Sequence, residues 1–202
     1  MSRHSISGQQ NKMVTIRDAR LADDGRLLEI YAPYVRETAI TFETEVPELM
    51  EFRQRMEHVR RRYPYLVAEE KGRILGYAYA SAFHTRAAYD WAVETTIYVD
   101  RDCRHGGIGG SLYKALEAAL ESMGVLNLNA CIAAPVAGIE DEHLTNDSEG
   151  FHAHLGYTLV GRFHKCGYKF GRWYDMIWME KMLGVHVETP KPVQAYADLN
   201  LC

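Results

Sequence analysis

Apolar residues recur along this chain with two periods, and each change of period marks a change of element. Val14 to Arg17 predicts a short first strand. Asp23 and Asp24 then make a helix start, followed by Leu27, Leu28, Ile30, Tyr31, Tyr34 and Val35 at helical spacing. A second helix begins near Pro47, places Leu49, Phe52, Met56 and Val59 on one face, and ends at Pro64. The period then shortens. Tyr65 to Glu69, a turn at Lys71, Gly72 and Arg73, and Ile74 to Ala82 read as a β-hairpin. A polar loop from Phe83 to Trp91 leads into a strand over Val93 to Asp100. Gly109 to Met123 is a helix with Leu112, Leu116, Ala119, Leu120 and Met123 inward, and Leu126 to Ala133 alternates as a strand. A mixed loop at 134 to 144 precedes a helix over roughly Asn146 to Leu155, stopped by Gly156. Tyr157 to Phe163 and Trp173 to Met182 are closing strands around a turn region holding Gly167 and Gly171.

The order β-α-α-β-β-β-α-β-α-β-β predicts a single mixed α/β domain, of the α+β kind, over residues 13 to 183. Residues 1 to 12 read as a frayed leader, and 184 to 202, with Pro190 and Pro192, as an extended tail. A chain of 202 residues can bury a core without metal or disulfide staples. Its 47% hydrophobic and 25% charged residues suit a soluble globular protein. A formal charge of -4, with Lys and Arg scattered, gives no field to hold a nucleic acid or an anionic membrane, so neither is expected as a partner. None of the four cysteines forms a CxxC pair, which favours a reducing compartment. The polar first residues and the lack of a long apolar run argue for a cytoplasmic protein.

The densest chemical signal lies between Val99 and Ser111, where a strand ends, a glycine-rich turn follows and a helix begins. Glycines let successive backbone N–H groups converge on one concavity, and a helix N-terminus favours an anion there. Arg104 can add a charge-assisted contact to a phosphate. Absence of a Gly-Lys-Ser/Thr step excludes a nucleoside triphosphate P-loop. Leu112 stands where a GxGxxG dinucleotide loop needs a small residue. The plain alternative is a glycine-rich turn with no ligand.

The spacing Arg104-x-x-Gly107-x-Gly109 resembles the Arg/Gln-x-x-Gly-x-Gly/Ala signature of the GCN5-related N-acetyltransferase (GNAT) superfamily. Further stretches are similar, in order, to its phosphinothricin acetyltransferase branch. They include Thr41 to Glu43, Arg62 to Glu69, Ala88 to Trp91, Glu94 to Val99, His154 to Tyr157 and Gly167 to Trp173. The resemblance covers about residues 14 to 182. It implies a strongly bent mixed sheet whose central strands splay to admit the pantetheine arm of acetyl-CoA. It also implies backbone contacts to that arm from Ile97, Tyr98 and Val99, and a pyrophosphate cradle over Arg104, His105, Gly106, Gly107, Ile108, Gly109, Gly110 and Ser111. Asn146 matches the residue that reaches the pantetheine, and the family suggests a homodimer.

Acetyl transfer needs a neutral amine and a donor for the developing oxyanion. Glu94 and His152 match the family's proposed base positions. A carboxylate within a strand is costly unless paired or functional, so the plain alternative for Glu94 is a salt-bridged structural carboxylate. Glu142, His143, His152 and His154 lack zinc-site spacing, and thioester transfer needs no metal, so none is expected. Phe42, Arg86, Tyr89 and Asp90 precede the cofactor strand and suggest the substrate side, with Arg86 able to clamp a carboxylate; a surface arginine is the alternative. Residues 136 to 144 depart from the family pattern as an insertion, and the segment Gly167 to Trp173 reads as a hairpin tip near the active site or a dimer partner. The expected function is acetyl transfer to the α-amine of a small amino acid or analogue, of the phosphinothricin, methionine sulfoximine or methionine sulfone type. A peptide or protein N-terminal acetyltransferase and a non-catalytic CoA-binding module stand as alternatives.

Overall fold

In the computed structural model of the chain, residues 14–104, 106–138 and 140–199 are described, so the leader at 1 to 12 and His105 lie outside. The strands are β1 (Thr15–Asp18), β2 (Tyr65–Glu70), β3 (Arg73–Ala82), β4 (Ala92–Val99), β5 (Asn127–Ala134), β6 (Thr158–Lys169) and β7 (Arg172–Met182). The helices are α1 (Asp24–Glu37), α2 (Leu49–Arg60), α3 (Ile108–Met123) and α4 (Asp147–His154). The strands form one sheet in the order β1-β2-β3-β4-β5-β7-β6. All neighbours are antiparallel except β4 and β5, which α3 connects as a parallel pair.

The two-residue period of β2 to β4 splits their side chains between two layers. Leu66, Ala68, Ala78, Ala80 and Val93 meet Leu112, Leu116, Leu120 and Met123 of α3 in one buried cluster. Tyr65, Val67 and Tyr77 meet Leu27, Ile30 and Val35 of α1 and Phe52 and Met56 of α2 in the other. Every α3 residue expected inward is buried. Leu49 differs: it is 44% exposed, because it opens α2 in a first turn that leaves its side chain outside the packed face.

The central strands splay as the resemblance implies, and two other features depart from the sequence pattern. The parallel pairing of β4 with β5 spans only Ala92 with Asn127, Val93 with Leu128 and Glu94 with Asn129, after which the strands part. β6 does not stop at Phe163 but continues to Lys169, through register shifts at Leu159/Gly161 and Phe163/Gly167. The longer shift is tied by Asp175, which accepts from the Lys165 N–H at 2.8 Å and pairs with Arg162 at 3.1 Å. The hairpin closes instead at Phe170 and Gly171, both with positive φ (52° and 74°), the backbone sign that a tight twisted hairpin demands. The tail runs back over the domain. Its Gln194 N–H donates to the Met123 carbonyl at 3.0 Å and its Tyr196 N–H to that of Arg62 at 2.8 Å, while Val193, Tyr196 and Leu199 pack against the α3 cluster. Among the described residues, no helix is long and apolar enough to cross a membrane.

Candidate active site at the strand fork

Where β4 and β5 part, their facing edges lose their ladder partners and a fork opens through the sheet. Two cavities meet there. One, of about 730 Å3, runs along the start of α3 and is lined by Ile97, Val99, Arg104, Gly107 to Gly110, Asn146 and Phe151. The other, of about 310 Å3, holds Glu94, Thr96, Tyr98, Tyr79 and Phe42. Ile40, Ile97, Ser148 and His152 line both, so the two spaces are continuous at the fork.

The larger groove has the build of an anion cradle. Gly107 takes φ 76° as the residue before α3, a left-handed conformation that a side chain would strain. Gly110 has nothing within 4 Å of where a Cβ would stand, so the helix start stays open, whereas a Cβ on Gly109 would come within 3.0 Å of the Phe151 ring. The Arg104 guanidinium lies over the Tyr34 ring at 5.3 Å, and the Tyr34 hydroxyl donates to the Val99 carbonyl at 2.5 Å. Ahead of the loop, Asp100 ion-pairs with Arg26 and with Arg73. Burial pushes its carboxyl up, but the Asp102 N–H and these two arginines outweigh that and hold it below the usual range. Asn146 stands just before α4, makes no capping bond with its side chain and lines the groove. Gly106 and Ser111 flank the groove rather than line it; the Ser111 hydroxyl turns back to the Gly107 carbonyl at 3.2 Å.

Glu94 is the last β4 residue paired to β5 and sits half-buried in the smaller cavity. Burial raises its carboxyl above the ordinary value, and the nearby His84 opposes that shift. No ion pair of Glu94 is found among the described residues, so the salt-bridged alternative lacks its partner. His152 is 5% exposed and already engaged at both ring nitrogens. Its Nδ1 lies 2.7 Å from the Ser148 carbonyl, which can only accept, so that nitrogen carries the proton. Its Nε2 then accepts from the Tyr113 hydroxyl at 2.8 Å. Burial lowers the His152 value and keeps the ring neutral, although the Ser148 bond works against it. The chain continues from Tyr113 to Thr95 at 3.2 Å, and Thr95 reaches the Tyr157 hydroxyl and the Asn129 carbonyl, each at 3.2 Å.

The residues expected on the substrate side separate. Phe42 lines the cavity with Glu94. Arg86, Tyr89 and Asp90 do not, because residues 87 to 89 close into a 3-10 turn, with Tyr89 N–H bonded to the Arg86 carbonyl at 2.9 Å, that leaves Arg86 and Tyr89 exposed. Tyr89 packs on Phe83 and His84, and Asp90 faces Arg62 at 3.2 Å rather than the cavity.

Residues 16–178 match the family described as Acetyltransferase (GNAT) domain. The chain belongs to this family. It is similar to the phosphinothricin N-acetyltransferase of Streptomyces viridochromogenes, with 33% identity over 94% of this chain and 98% of that protein. It is also similar to the L-methionine sulfoximine/L-methionine sulfone acetyltransferase of Pseudomonas aeruginosa, with 34% identity over 82% of this chain and 92% of that protein. Among solved structures, a GNAT superfamily phosphinothricin acetyltransferase from Sinorhizobium meliloti in complex with acetyl-CoA superposes with a TM-score of 0.79. Identity to it is 34%, covering 91% of this chain and 98% of that one. The chain is thus an acetyl-CoA-dependent GNAT acetyltransferase, and its forked mixed sheet is the expected family fold.

Several residues that line or support the fork had no site role in the sequence, although Lys169 and Gly167 lie in the segment read as a hairpin tip near the active site. Thr95, Tyr113, Tyr157 and Asn129 are distant in sequence and meet only around His152. Lys169 is buried and donates from its ammonium to the Thr38 and Thr41 carbonyls, both at 2.8 Å, fixing the loop that carries Phe42. Nothing in the β6 pattern marks it as buried. Gly167, expected in a turn, lies inside β6 because a Cβ there would stand 2.4 Å from the Phe42 ring. Gly167→Ala is therefore expected to swing the Phe42 ring away and raise the acceptor KM several-fold without changing the acetyl-CoA KM. Initial-rate kinetics with each substrate varied in turn measures both.

Proposed function

We propose that this enzyme transfers the acetyl group of acetyl-CoA to the α-amine of a small amino acid or analogue such as methionine sulfoximine, methionine sulfone or phosphinothricin, with Glu94 as the base. The observation that carries this reading is Glu94 itself: a half-buried carboxyl with no ion pair among the described residues, at the last β4–β5 pair before the fork and in the smaller of the two joined cavities. Names of relatives that cover most of both chains support the acceptor class.

In this reading the pyrophosphate rests on residues 104 to 111 and the helix start of α3. Arg104 supplies charge, and Ile97, Tyr98, Val99 and Asn146 line the way to the fork. Acetyl-CoA brings the activated thioester; the chain supplies the rest. Glu94 takes the ammonium proton, directly or through a water, so that a neutral amine attacks the thioester carbonyl; the C–S bond breaks and the sulfur leaves as the thiol with the proton that the amide nitrogen sheds. Backbone N–H groups of β4 freed by the fork are the donors for the oxyanion. His152, neutral and filled at both nitrogens, is no ready base; it fixes Tyr113 beside the fork. Phe42 walls the acceptor, whereas Arg86, Tyr89 and Asp90 stay outside its cavity. We also propose a cytoplasmic homodimer. Exposed Leu159, Val160, Phe163, Tyr168 and Trp173 on β6 and β7 supply an apolar surface for a second copy, and the free thiols of Cys103, Cys131 and Cys166 suit a reducing compartment.

The test is thiol release from acetyl-CoA across amino acids, their analogues and short peptides. Turnover of amino acids supports the reading. Turnover of peptides alone would make the enzyme an N-terminal acetyltransferase, and CoA binding without turnover a non-catalytic module. The pH profile has a fixed sign. A base must be deprotonated, so kcat/KM should fall with decreasing pH through a carboxyl value above the ordinary Glu94 one. Since burial holds His152 neutral, no imidazole step should appear near its usual value of about 6.5.

A further inference from the structure

The closed end of the fork is tied by more than its last ladder pair. Glu94 pairs with Asn129, and the two residues flanking Glu94 both reach that same partner. The Asn129 side-chain amide donates from Nδ2 to the Val93 carbonyl at 3.1 Å. The Thr95 hydroxyl donates to the Asn129 carbonyl at 3.2 Å. One bond thus runs from β5 to β4 and the other from β4 to β5. They also lie on opposite faces of the sheet. Asn129 shares the face of Glu94, because residues paired across a ladder point the same way. Thr95 is the next residue along β4 and turns to the other face, where Tyr113 of α3 and Tyr157 meet it.

These groups are buried. Thr95 is 5% exposed, Asn129 9% and Val93 not at all, so their bonds are made in a low dielectric and face little competition from water. The Thr95 hydroxyl has one hydrogen and two lone pairs. The Asn129 carbonyl can only accept, so it takes the hydrogen, and the lone pairs face the Tyr113 and Tyr157 hydroxyls, each 3.2 Å away. Three partners fill the three positions and fix the side chain. Tyr113 also reaches His152 of α4 at 2.8 Å, so the tie is braced against both helices that border the larger groove. The parallel ladder needs such a brace. It is three pairs long and ends where a substrate arm has to enter between the strands, and the end of a short ladder is where fraying starts.

We propose that Asn129 and Thr95 are positioning residues for acetyl transfer: they clamp the closed end of the fork through both faces of the sheet and so hold the Glu94 carboxyl in place beside the freed edge of β4. Glu94 lies between two tied residues, and its backbone cannot tilt without breaking one of the bonds. Loss of either bond lets the carboxyl drift from the amine it must deprotonate, and a misplacement of about 1 Å costs about a hundredfold in rate. The anion cradle at Arg104 to Gly110 lies at the far, open end of the fork, so cofactor binding should respond little. The inference rests on Glu94 as the base proposed above.

The experiment compares the full-length enzyme with Thr95→Val, which keeps the side-chain shape and removes the hydroxyl, with Thr95→Ser, which keeps the hydroxyl, and with Asn129→Leu. Thr95→Val and Asn129→Leu should each lower kcat by about ten- to a hundredfold well below their melting temperatures, with the acetyl-CoA KM moved by less than about threefold. Thr95→Ser should recover most of the wild-type kcat. Hydrogen exchange supplies a second readout. In Thr95→Val the backbone amides of residues 93 to 95 and 129 should exchange about tenfold faster, while those of Leu112 to Leu120 in α3 keep their wild-type rates. A lowered melting temperature with wild-type kcat would make the two residues merely structural and overturn the inference. Thr95→Ser as slow as Thr95→Val would overturn it too. The two Thr95 variants decide the matter even where Asn129→Leu does not fold. Full turnover by Glu94→Gln would instead sink the base reading. In that event exchange alone decides the clamp: faster exchange confined to the fork supports it, and wild-type rates there overturn it.

Discussion

Replacing Glu94 by Gln is expected to lower kcat/KM by about 10² to 10⁴, the range that general-base catalysis supplies, with the acetyl-CoA KM unchanged. Gln keeps the shape and polarity of the side chain but cannot accept the ammonium proton. The residue lines the acceptor cavity and not the larger groove along α3, so cofactor affinity should not respond. Stability separates this loss from misfolding. Burial raises the Glu94 carboxyl in the folded state, so its contribution to stability is fully present below the unfolded value and is lost as pH rises through the folded one. At neutral pH the wild type therefore holds an unfavourable buried charge that Gln removes. The variant should melt no lower than the wild type at pH 7, and the difference should shrink in acid. Thermal denaturation at two pH values, beside the kinetics, checks both. An unaltered turnover would take the base role away from Glu94.

Gly109→Val is expected to weaken acetyl-CoA binding by about one to two orders of magnitude, roughly 1.4 to 2.8 kcal/mol. A Cβ on Gly109 would press on the Phe151 ring at 3.0 Å. That ring packs edge-on against Tyr113 at 5.6 Å and against His152 at 5.4 Å, so it cannot retreat without disturbing the chain around His152. The alternative is for the new side chain to fill the groove at the start of α3, where the backbone N–H groups must stay open. Either way the loss falls on the cofactor. Titration of CoA by calorimetry should show it, and an acetyl-CoA affinity equal to the wild type would remove the loop from cofactor binding. Gly107→Ala is a useful contrast. Its φ of 76° makes any side chain cost about 1–2 kcal/mol of stability, so its effect should appear first in the melting temperature.

Much of the site was readable before the fold was known, for local reasons. Arg104 to Gly110 announced an anion cradle because glycine spacing and a helix start are properties of a short segment. Glu94 stood out because a carboxylate inside a strand needs a reason, and it has no ion-pair partner among the described residues. Where long-range packing decides, the pattern failed. Arg86 and Asp90 had the right chemistry for a substrate clamp, but the turn at 87 to 89 points them away. His152 matched a family base position with a packed histidine as its plain alternative, and Ser148 and Tyr113 do occupy its ring. Gly167 looked like a turn glycine, yet it is a strand residue that makes room for Phe42.

The sequence by itself determined the order of strands and helices, the inward face of α3 and the glycine loop at its start. Each depends on periodicity or backbone freedom within a few residues. Only the tertiary structure decided that β4 and β5 part after Glu94, that the two cavities join at that fork, and that Asn129 ties both neighbours of Glu94 at its closed end. Those features come from register between segments far apart in the chain, and no local pattern encodes which residues a strand will face once it has paired.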